Sequence, residues 1–505
     1  MFRSPRPAAR FSAVVALTLV MALGAASPAF AAMSRSLVMA RAQRWVDLAI
    51  PYSQTTYRDL DGKVVSYGSG YRTDCSGFVS MAWNTFKPGY STRTLNQTAT
   101  RITKEALQPG DALVAYNYHA VIFGGWANPE RTKFYEYQMG SVVDTATGDG
   151  TGMRIETYPG PSPKDSPYIP YRLNGITENI DYSGSIEPIE GADRYKTAVA
   201  ASRSAFTTGS AGTVVIASGE NWPDALGASA LAGAVGGPVL LTKPDALPAA
   251  VAAEIARLGA REAIVVGGEP AVSASVFRQL DALASVSATR VAGTDRYATS
   301  ARIAEETVRR AGLRSRGYTG TVFVTTGANF PDALAASPLA AKSVWPIVLT
   351  RPGDGLSQDA SASIAKIRAN RALVLGSASA VSTSTKADLV GMLGEDRVVR
   401  LAGYSRYDTG FEIAKYGLAN CGLTINGTAI ATGANFPDAL AGGVMAARHN
   451  TVLMLTPPGW LSANVADLLV QNAASAGKPR VLGGPTVLKP IVREAIALAL
   501  GTPAE

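Results

Sequence analysis

The chain has 505 residues, with 47 Lys and Arg against 39 Asp and Glu, and only two Cys and two His. That length predicts two to four domains, and so few thiols and imidazoles leave no cluster with metal-ligand spacing, so no metal or cofactor is expected. The formal net charge of +8 favours polyanionic partners, though charge alone is weak grounds for choosing one.

Arg3, Arg6 and Arg10, an apolar core from Ala13 to Ala26, and the small-x-small site Ala29-Phe30-Ala31 predict a secretory signal peptide over residues 1–31. That core is too short to span a bilayer, and no later stretch reaches ~20 uninterrupted apolar residues. The expected product is secreted, with no transmembrane segment. Outside the cell the available polyanions are wall polymers and anionic lipid, so no nucleic-acid partner is expected. Cys75 and Cys421 fall in segments that read as different domains, and no disulfide between them is expected.

Residues 37–175 form one block, rich in Tyr and polar loops. Gly70-Tyr71-Arg72-Thr73 reads as a loop, and Phe78, Val79, Ala82, Trp83 and Phe86 recur with helical spacing. Cys75 therefore sits at or near a helix N-terminus. There the dipole and the free N–H groups are expected to lower the thiol pKa and to receive an oxyanion. A cysteine nucleophile needs a base within hydrogen-bond reach. His119 opens the apolar run Ala120-Val121-Ile122-Phe123, which reads as a strand beside 111–114. Residues 134–138 read as the next strand, where Glu136 and Gln138 share a face. Either could hold the His119 ring in its useful tautomer. Cys421 reads as an inert, small apolar residue, and His449, at a helix end, as structural.

After a linker at 176–187, the chain turns rich in Ala, Val, Leu and Gly and repeats three times. The copies are expected over 188–290, 291–399 and 400–500. Each opens on a Gly and an Arg-Tyr pair: Gly191 with Arg194-Tyr195, Gly293 with Arg296-Tyr297, Gly403 with Arg406-Tyr407. Each continues with a shared loop: Asn221-Trp222-Pro223-Asp224, Asn329-Phe330-Pro331-Asp332, Asn435-Phe436-Pro437-Asp438. Each then has an apolar run ending in Thr242, Thr350 or Thr456. In the first copy, strands at 213–217, 239–241 and 263–266 alternate with helices at 224–234 and 247–258. Continuous apolar strands separated by helices predict parallel sheets covered on both faces. The three arginines could contact phosphate or carboxylate, or could pair with Asp224, Asp332 and Asp438 and hold the repeats together.

Asp74-Cys75-Ser76-Gly77-Phe78, then Pro109-Gly110-Asp111, then His119-Ala120-Val121-Ile122-Phe123, resembles the NlpC/P60 cysteine peptidases of bacterial walls. The resemblance covers roughly 37–172. It implies a papain-like α+β fold with helices packed on an antiparallel sheet, and cleavage of peptidoglycan stem peptides, often beside D-glutamate. It makes Cys75 the nucleophile and His119 the base. It aligns Glu136 with the third polar residue, a departure from the usual His, Asn or Gln, with Gln138 as the fallback. It also implies that Tyr52, Asp74, Ser76 and Gln138 contact substrate, and the long stretch from Ser53 to Tyr71 implies an altered cleft. The related CHAP amidases share the layout.

The three C-terminal copies resemble the cell-wall-binding type 2 repeats of Gram-positive surface proteins. That resemblance implies a pseudo-threefold arrangement of three α/β units held noncovalently on an anionic cell-wall polymer, with Arg194, Arg296 and Arg406 as polymer-binding residues. Ser405 replaces the Asp found at 193 and 295, so unequal binding by the copies is expected. Together the two resemblances describe a multidomain, secreted, wall-associated hydrolase acting on peptidoglycan. The alternatives are an N-acetylmuramoyl-L-alanine amidase on the same scaffold, or a noncatalytic wall-binding or adhesion protein.

Overall fold

The computed structural model describes residues 33–140, 151–160, 167–178, 182–314, 317–353 and 355–501. The expected signal peptide lies outside them.

The N-terminal block is an antiparallel sheet with two helices on one face. Helix α1 (Arg35–Asp47) starts at Ser34, whose hydroxyl accepts the Leu37 N–H. Helix α2 (Cys75–Ala82) starts at Asp74, whose carboxylate accepts the Gly77 N–H at 2.6 Å. The sheet is built from β1 (Ala99–Arg101), β2 (Ala112–Ala115), β3 (His119–Trp126), β4 (Lys133–Met139), β5 (Thr151–Thr157) and β6 (Ile169–Leu173), in the order β1-β6-β2-β3-β4-β5. Strand alternation divides its residues between two cores. Ala112, Val114, Ala120, Ile122 and Met139 pack with Trp45, Phe78 and Met81 of the helices. Leu113, Ala115, Val121, Phe123 and Phe134 pack with Tyr168 on the opposite face. Asp111 explains the Pro-Gly-Asp turn. It is fully buried, and Arg35 and Arg172 reach its two oxygens at 3.0 and 2.8 Å.

The long stretch from Ser53 to Tyr71 folds as a small antiparallel sheet of Ser53–Arg58, Val64–Val65 and Tyr71–Thr73. Its turn docks on the third repeat. Asp61 accepts the Trp460 indole N–H at 3.2 Å and the Ala463 N–H at 2.8 Å. The Arg44 guanidinium lies 3.8 Å over the Trp460 ring. Beside this contact is a cavity of about 480 Å³, lined by Arg41, Tyr71, Phe86, Trp460 and Val470 among others, and Cys75 is not part of its wall.

Each repeat carries a four-stranded parallel sheet. The first runs Val239–Thr242, Thr213–Ser218, Glu262–Val266, Ser287–Val291, and the second runs Ile347–Thr350, Thr321–Thr326, Arg371–Leu375, Val398–Leu401. The fourth strand in each leads directly into the Gly and Arg-Tyr of the next copy. In the third sheet, Thr451–Thr456, Thr424–Thr432 and Arg480–Leu482 are completed by Glu187–Ile189, from before the first copy. Residues 176–187, expected as a linker, thus hold the start of that strand. They also hold Ile176–Thr177, which pairs in parallel with Met33–Ser34.

The recurring residues have recurring local jobs. Thr197, Thr299 and Thr409 hydroxyls accept the N–H of Gly191, Gly293 and Gly403. Asp193, Asp295 and Ser405 cap the helices Arg194–Ala205, Arg296–Leu313 and Arg406–Asn420. Ser405 is therefore a replacement that keeps the cap, because serine and aspartate both accept the first-turn N–H groups. The apolar runs end in Thr where its carbonyl accepts the N–H of Gly219, Gly327 or Gly433.

The helix expected over 224–234 is interrupted. A 3₁₀ turn at Pro223–Ala225 is followed by a helix at Ala228–Val235, whereas Pro331–Ser343 and Pro437–Arg448 are continuous. Gly227 stands at the break, where the other copies have Ala335 and Ala441, and glycine is the weaker helix former. A Cβ there would meet Ile303 Cγ2 at 3.0 Å. These three helices pack on one another at the centre of the ring. A Cβ on Gly233 would fall 2.1 Å from the Ala341 carbonyl oxygen, and one on Gly443 would fall 2.2 Å from Ser337 Cβ.

Candidate functional site

His119, Glu136 and Gln138 lie on the Tyr168 face of the sheet, at the end where α2 begins. The imidazole Nε2 is 3.0 Å from Gln138 Oε1. An amide oxygen only accepts, so Nε2 carries the proton and Nδ1 holds the free lone pair. Burial lowers the His119 pKa, Gln138 raises it in part, and the positive charge of Arg154 lowers it further.

Glu136 does not take the third position. It is directly opposite Arg154 in the β4–β5 ladder, and its Oε1 pairs with that guanidinium at 2.9 Å. Gln138, one residue pair further along the strand, is the side chain that reaches the ring. Burial raises the Glu136 carboxyl to about 7 against the opposing pull of Arg154.

Cys75 is the first residue of α2 and is buried. Desolvation and then the Asp74 carboxylate raise its thiol to about 11, while the backbone N–H groups of Ala120, Ser76 and Cys75 itself pull the other way. The expected lowering by the helix terminus is outweighed. The reason is that the capping residue is itself an anion and the thiol is sealed under the sheet end. The thiol sits against the N–H of Ala120, next to His119. Among the described residues the sulfur and the imidazole make no direct hydrogen bond, a gap common in substrate-free sites. Tyr168, which the sequence did not single out, joins the group. Its ring centroid is 6.5 Å from that of His119. Its hydroxyl is driven upward by burial, then by Glu136, with Cys75 adding to the effect.

The expected substrate contacts have structural occupations. Asp74 caps α2, binds Arg72 Nε at 2.8 Å and accepts the Ser76 hydroxyl at 3.1 Å. Ser76 is buried and Asp74 half-buried. Tyr52 is half-buried, its hydroxyl accepting from Gln54 Nε2 at 3.2 Å. It precedes Ser53, which pairs with Thr73 just ahead of Cys75.

In the repeats, Arg194, Arg296 and Arg406 each donate Nη1 to the carbonyl of Gly219, Gly327 or Gly433 in their own copy. The rings of Tyr195, Tyr297 and Tyr407 close on the same glycines, where a Cβ would meet them at 2.5–2.7 Å. The carboxylates they face belong to another copy. Arg296 acts on Asp224, Arg406 on Asp332, and Arg194 on Asp438. Pairing with the Asp of the same copy is not what the structure has, because the strand order brings each copy's opening residues to its neighbour's loop. The aromatic residues of those loops meet as well, with Phe330 centroids 5.9 Å from Trp222 and 6.2 Å from Phe436.

His449 Nε2 lies 3.0 Å from the Ser204 carbonyl, a contact between the third and first copies. Cys421 is half-buried beside Ser343. Among the described residues no group of His, Cys, Asp and Glu is placed to hold a metal ion, and no helix is long and apolar enough to cross a membrane.

Comparison with known proteins gives the repeats a family. Residues 189–277, 290–386 and 400–493 match Cell wall binding domain 2 (CWB2). The chain is 29% identical over 286 residues to the N-acetylmuramoyl-L-alanine amidase LytC of Bacillus subtilis (strain 168), covering 56% of this chain and 53% of the relative. It is 28% identical over 286 residues to the amidase enhancer of the same organism, covering 57% and 37%. The chain thus spans about half or less of the length of these relatives, and the matched length is one the repeats can account for. Among solved structures, Cwp8 from Clostridium difficile superposes with a TM-score of 0.54 at 28% identity, over 63% of this chain and 52% of that one. Cwp6 from the same organism superposes with a TM-score of 0.56 at 20% identity, over 78% and 64%, and shows likeness of fold. Three interlocking parallel-sheet units, matched copy by copy over more than half of the residues, make this chain a member of the CWB2 cell-wall-binding family.

Proposed function

We propose that this protein is a secreted, wall-associated hydrolase of peptidoglycan, with an NlpC/P60-type, papain-like cysteine domain over about residues 37–175. The observation that carries the reading is the placement of His119. Gln138 fixes its tautomer and leaves Nδ1 free, and the next residue, Ala120, turns its N–H to the thiol of Cys75. A raised thiol pKa and a lowered imidazole pKa describe a neutral resting pair. Attack then couples two events: His119 takes the thiol proton as sulfur bonds to the amide carbon. The N–H groups of Cys75 and Ser76, at the start of α2, would receive the oxyanion. His119 returns the proton to the departing amine, and water hydrolyses the thioester with His119 again as base.

The substrate class is amide bonds of peptidoglycan stem peptides. A second reading, cleavage of the amide between the glycan and the peptide, draws on the amidase relative and uses the same residues. Purified protein should release fragments from peptidoglycan, and Cys75→Ser or His119→Ala should abolish release. Mass spectrometry of the fragments separates peptidase from amidase. Undiminished hydrolysis by either variant would end the assignment.

The repeats hold the enzyme on an anionic wall polymer in this reading. Arg296 is exposed, while Arg194 and Arg406 are half-buried, so the polymer would meet them at the seams between copies. The Cys75→Ser protein should bind purified walls and weaken with salt, since exposed charges are screened over ~8 Å at physiological ionic strength. Full retention on walls stripped of anionic polymer would mean that the repeats recognise glycan or peptide.

A further inference from the structure

The cavity where the N-terminal block meets the third repeat is built by both. Leu37, Ala40, Arg41 and Arg44 recur at three- and four-residue intervals on α1, so they share one helix face, and that face lines the cavity. The opposite wall comes from the helices Ala463–Gln471 and Pro490–Ala499, through Val470, Ile491 and Leu498. Beside the cavity the two bodies are packed together. Ala497 lies in the same buried cluster as Leu37, and Glu494 accepts the Ser34 hydroxyl at 2.5 Å. The volume of about 480 Å³ falls within the ~300–1,000 Å³ of small-molecule sites.

Arg41 is the wall residue that needs a partner. Its Nε donates to the Met81 carbonyl at 2.7 Å, and its Nη2 is buried with no hydrogen-bond partner. The other cations of the lining have carboxylates: Arg44 has Asp61 at 3.5 Å, and Lys87 has Asp467 at 3.9 Å. Among the described residues no carboxylate supports Arg41. Burial lowers its pKa, and the group opposing that is Tyr71, a neutral phenol. A guanidinium beside apolar surface without an anion is costly, and an anionic group brought into the cavity would offset that cost. The rest of the lining is suited to hydrocarbon. Phe86 and Val470 line the cavity and are yet 53% and 59% exposed, so apolar side chains also stand where it opens.

We propose that this cavity binds a single-chain aliphatic anion, a fatty acid or an alkyl phosphate, with its head on Arg41 and its chain between α1 and the third repeat. Because such a ligand touches both walls, its binding favours the docked arrangement of the two bodies.

The test titrates decanoate, decyl phosphate and decanol into the intact protein below their micelle concentrations. The two anions should bind saturably and at least about tenfold more tightly than the alcohol, the scale of one charge-assisted hydrogen bond. The tighter of the two anions identifies the head group. Arg41→Gln should bring both anions to the level of decanol, and Arg41→Lys should restore part of the preference. Ala466→Trp, which fills the cavity from the repeat side, should weaken all three ligands. Thermal unfolding without ligand checks that each variant is folded. With decanoate bound, hydrogen exchange should slow in both Arg35–Asp47 and Ala463–Gln471. Anion binding that Arg41→Gln leaves unchanged, or slowing confined to one wall, overturns the proposal. Absence of saturable binding does so too, and a dimer in sedimentation that Val470→Asp dissolves would then give the opening to a second copy of this chain.

Discussion

His119 is bonded to Gln138 across 3.0 Å, through the ring nitrogen Nε2. Losing this acceptor frees the imidazole to rotate and to change tautomer. Gln138→Ala should lower kcat for peptidoglycan fragments by about 10- to 100-fold, with a smaller effect on KM. Gln138→Glu should raise the imidazole pKa and move the acid limb of the pH–rate profile upward. Glu136→Gln should cost less in kcat than Gln138→Ala. The reverse order would give the ring to the carboxylate.

The thiol of Cys75, held near 11 rather than at its ordinary 9.0, sets the course of alkylation. The thiolate is the reactive form, so labelling by iodoacetamide should be slow at pH 7 and rise about tenfold per pH unit towards pH 10. A rate that is already flat at pH 7 would mean a preformed thiolate–imidazolium pair. His119→Ala should change the slope little, since desolvation and Asp74 dominate the shift.

Asp332 and Asp438 are raised from 3.8 to about 6, first by burial. The folded state then binds protons that the unfolded chain has released, so these carboxyls favour folding below pH 4–6. Their contribution to stability falls as pH rises through about 6. Asp332→Asn should remove part of that slope and raise the unfolding midpoint at pH 7 relative to pH 4.5. The check is the difference between variant and parent across pH, because other carboxyls such as Glu254 and Glu306 are shifted the opposite way. A difference that is constant with pH refutes the assignment.

Ile189 is 5% exposed and pairs with Leu482. Ile189→Asp in the intact protein should cost about 2–5 kcal/mol, from lost burial plus an unpaired buried charge. Hydrogen exchange locates the damage. Protection should fall first at Arg480–Leu482, in the third repeat. Loss confined to the neighbouring first repeat would contradict the shared sheet.

What could be read from the residues alone follows the range of the interactions. The α2 start at Cys75, the β3 strand after His119 and the parallel strands of the repeats are local patterns of spacing and apolarity. The choice between Glu136 and Gln138 stayed open because the partner of Glu136, Arg154, is set by a strand register that no local pattern carries. The same holds for Asp224, Asp332 and Asp438, whose arginines come from adjoining copies. Glu187–Ile189 reads as linker because a three-residue strand has little pattern of its own, and its partner lies near the other end of the chain. The thiol shift was missed for a different reason. The helix terminus was visible, but its seal and the charge of its cap emerge only once the sheet is folded over it.

The strand Glu187–Ile189 also bears on how this architecture can vary. An open array of repeats leaves an unsatisfied end at each terminus and can lengthen by adding a unit there. Here the last unit's sheet edge is taken by the segment that introduces the first, so the array has no free end of that kind. A fourth copy would have to open the ring and repack the central helices, whose close contacts at Gly233 and Gly443 admit no larger side chain without a shift. Copy number is therefore locked at three.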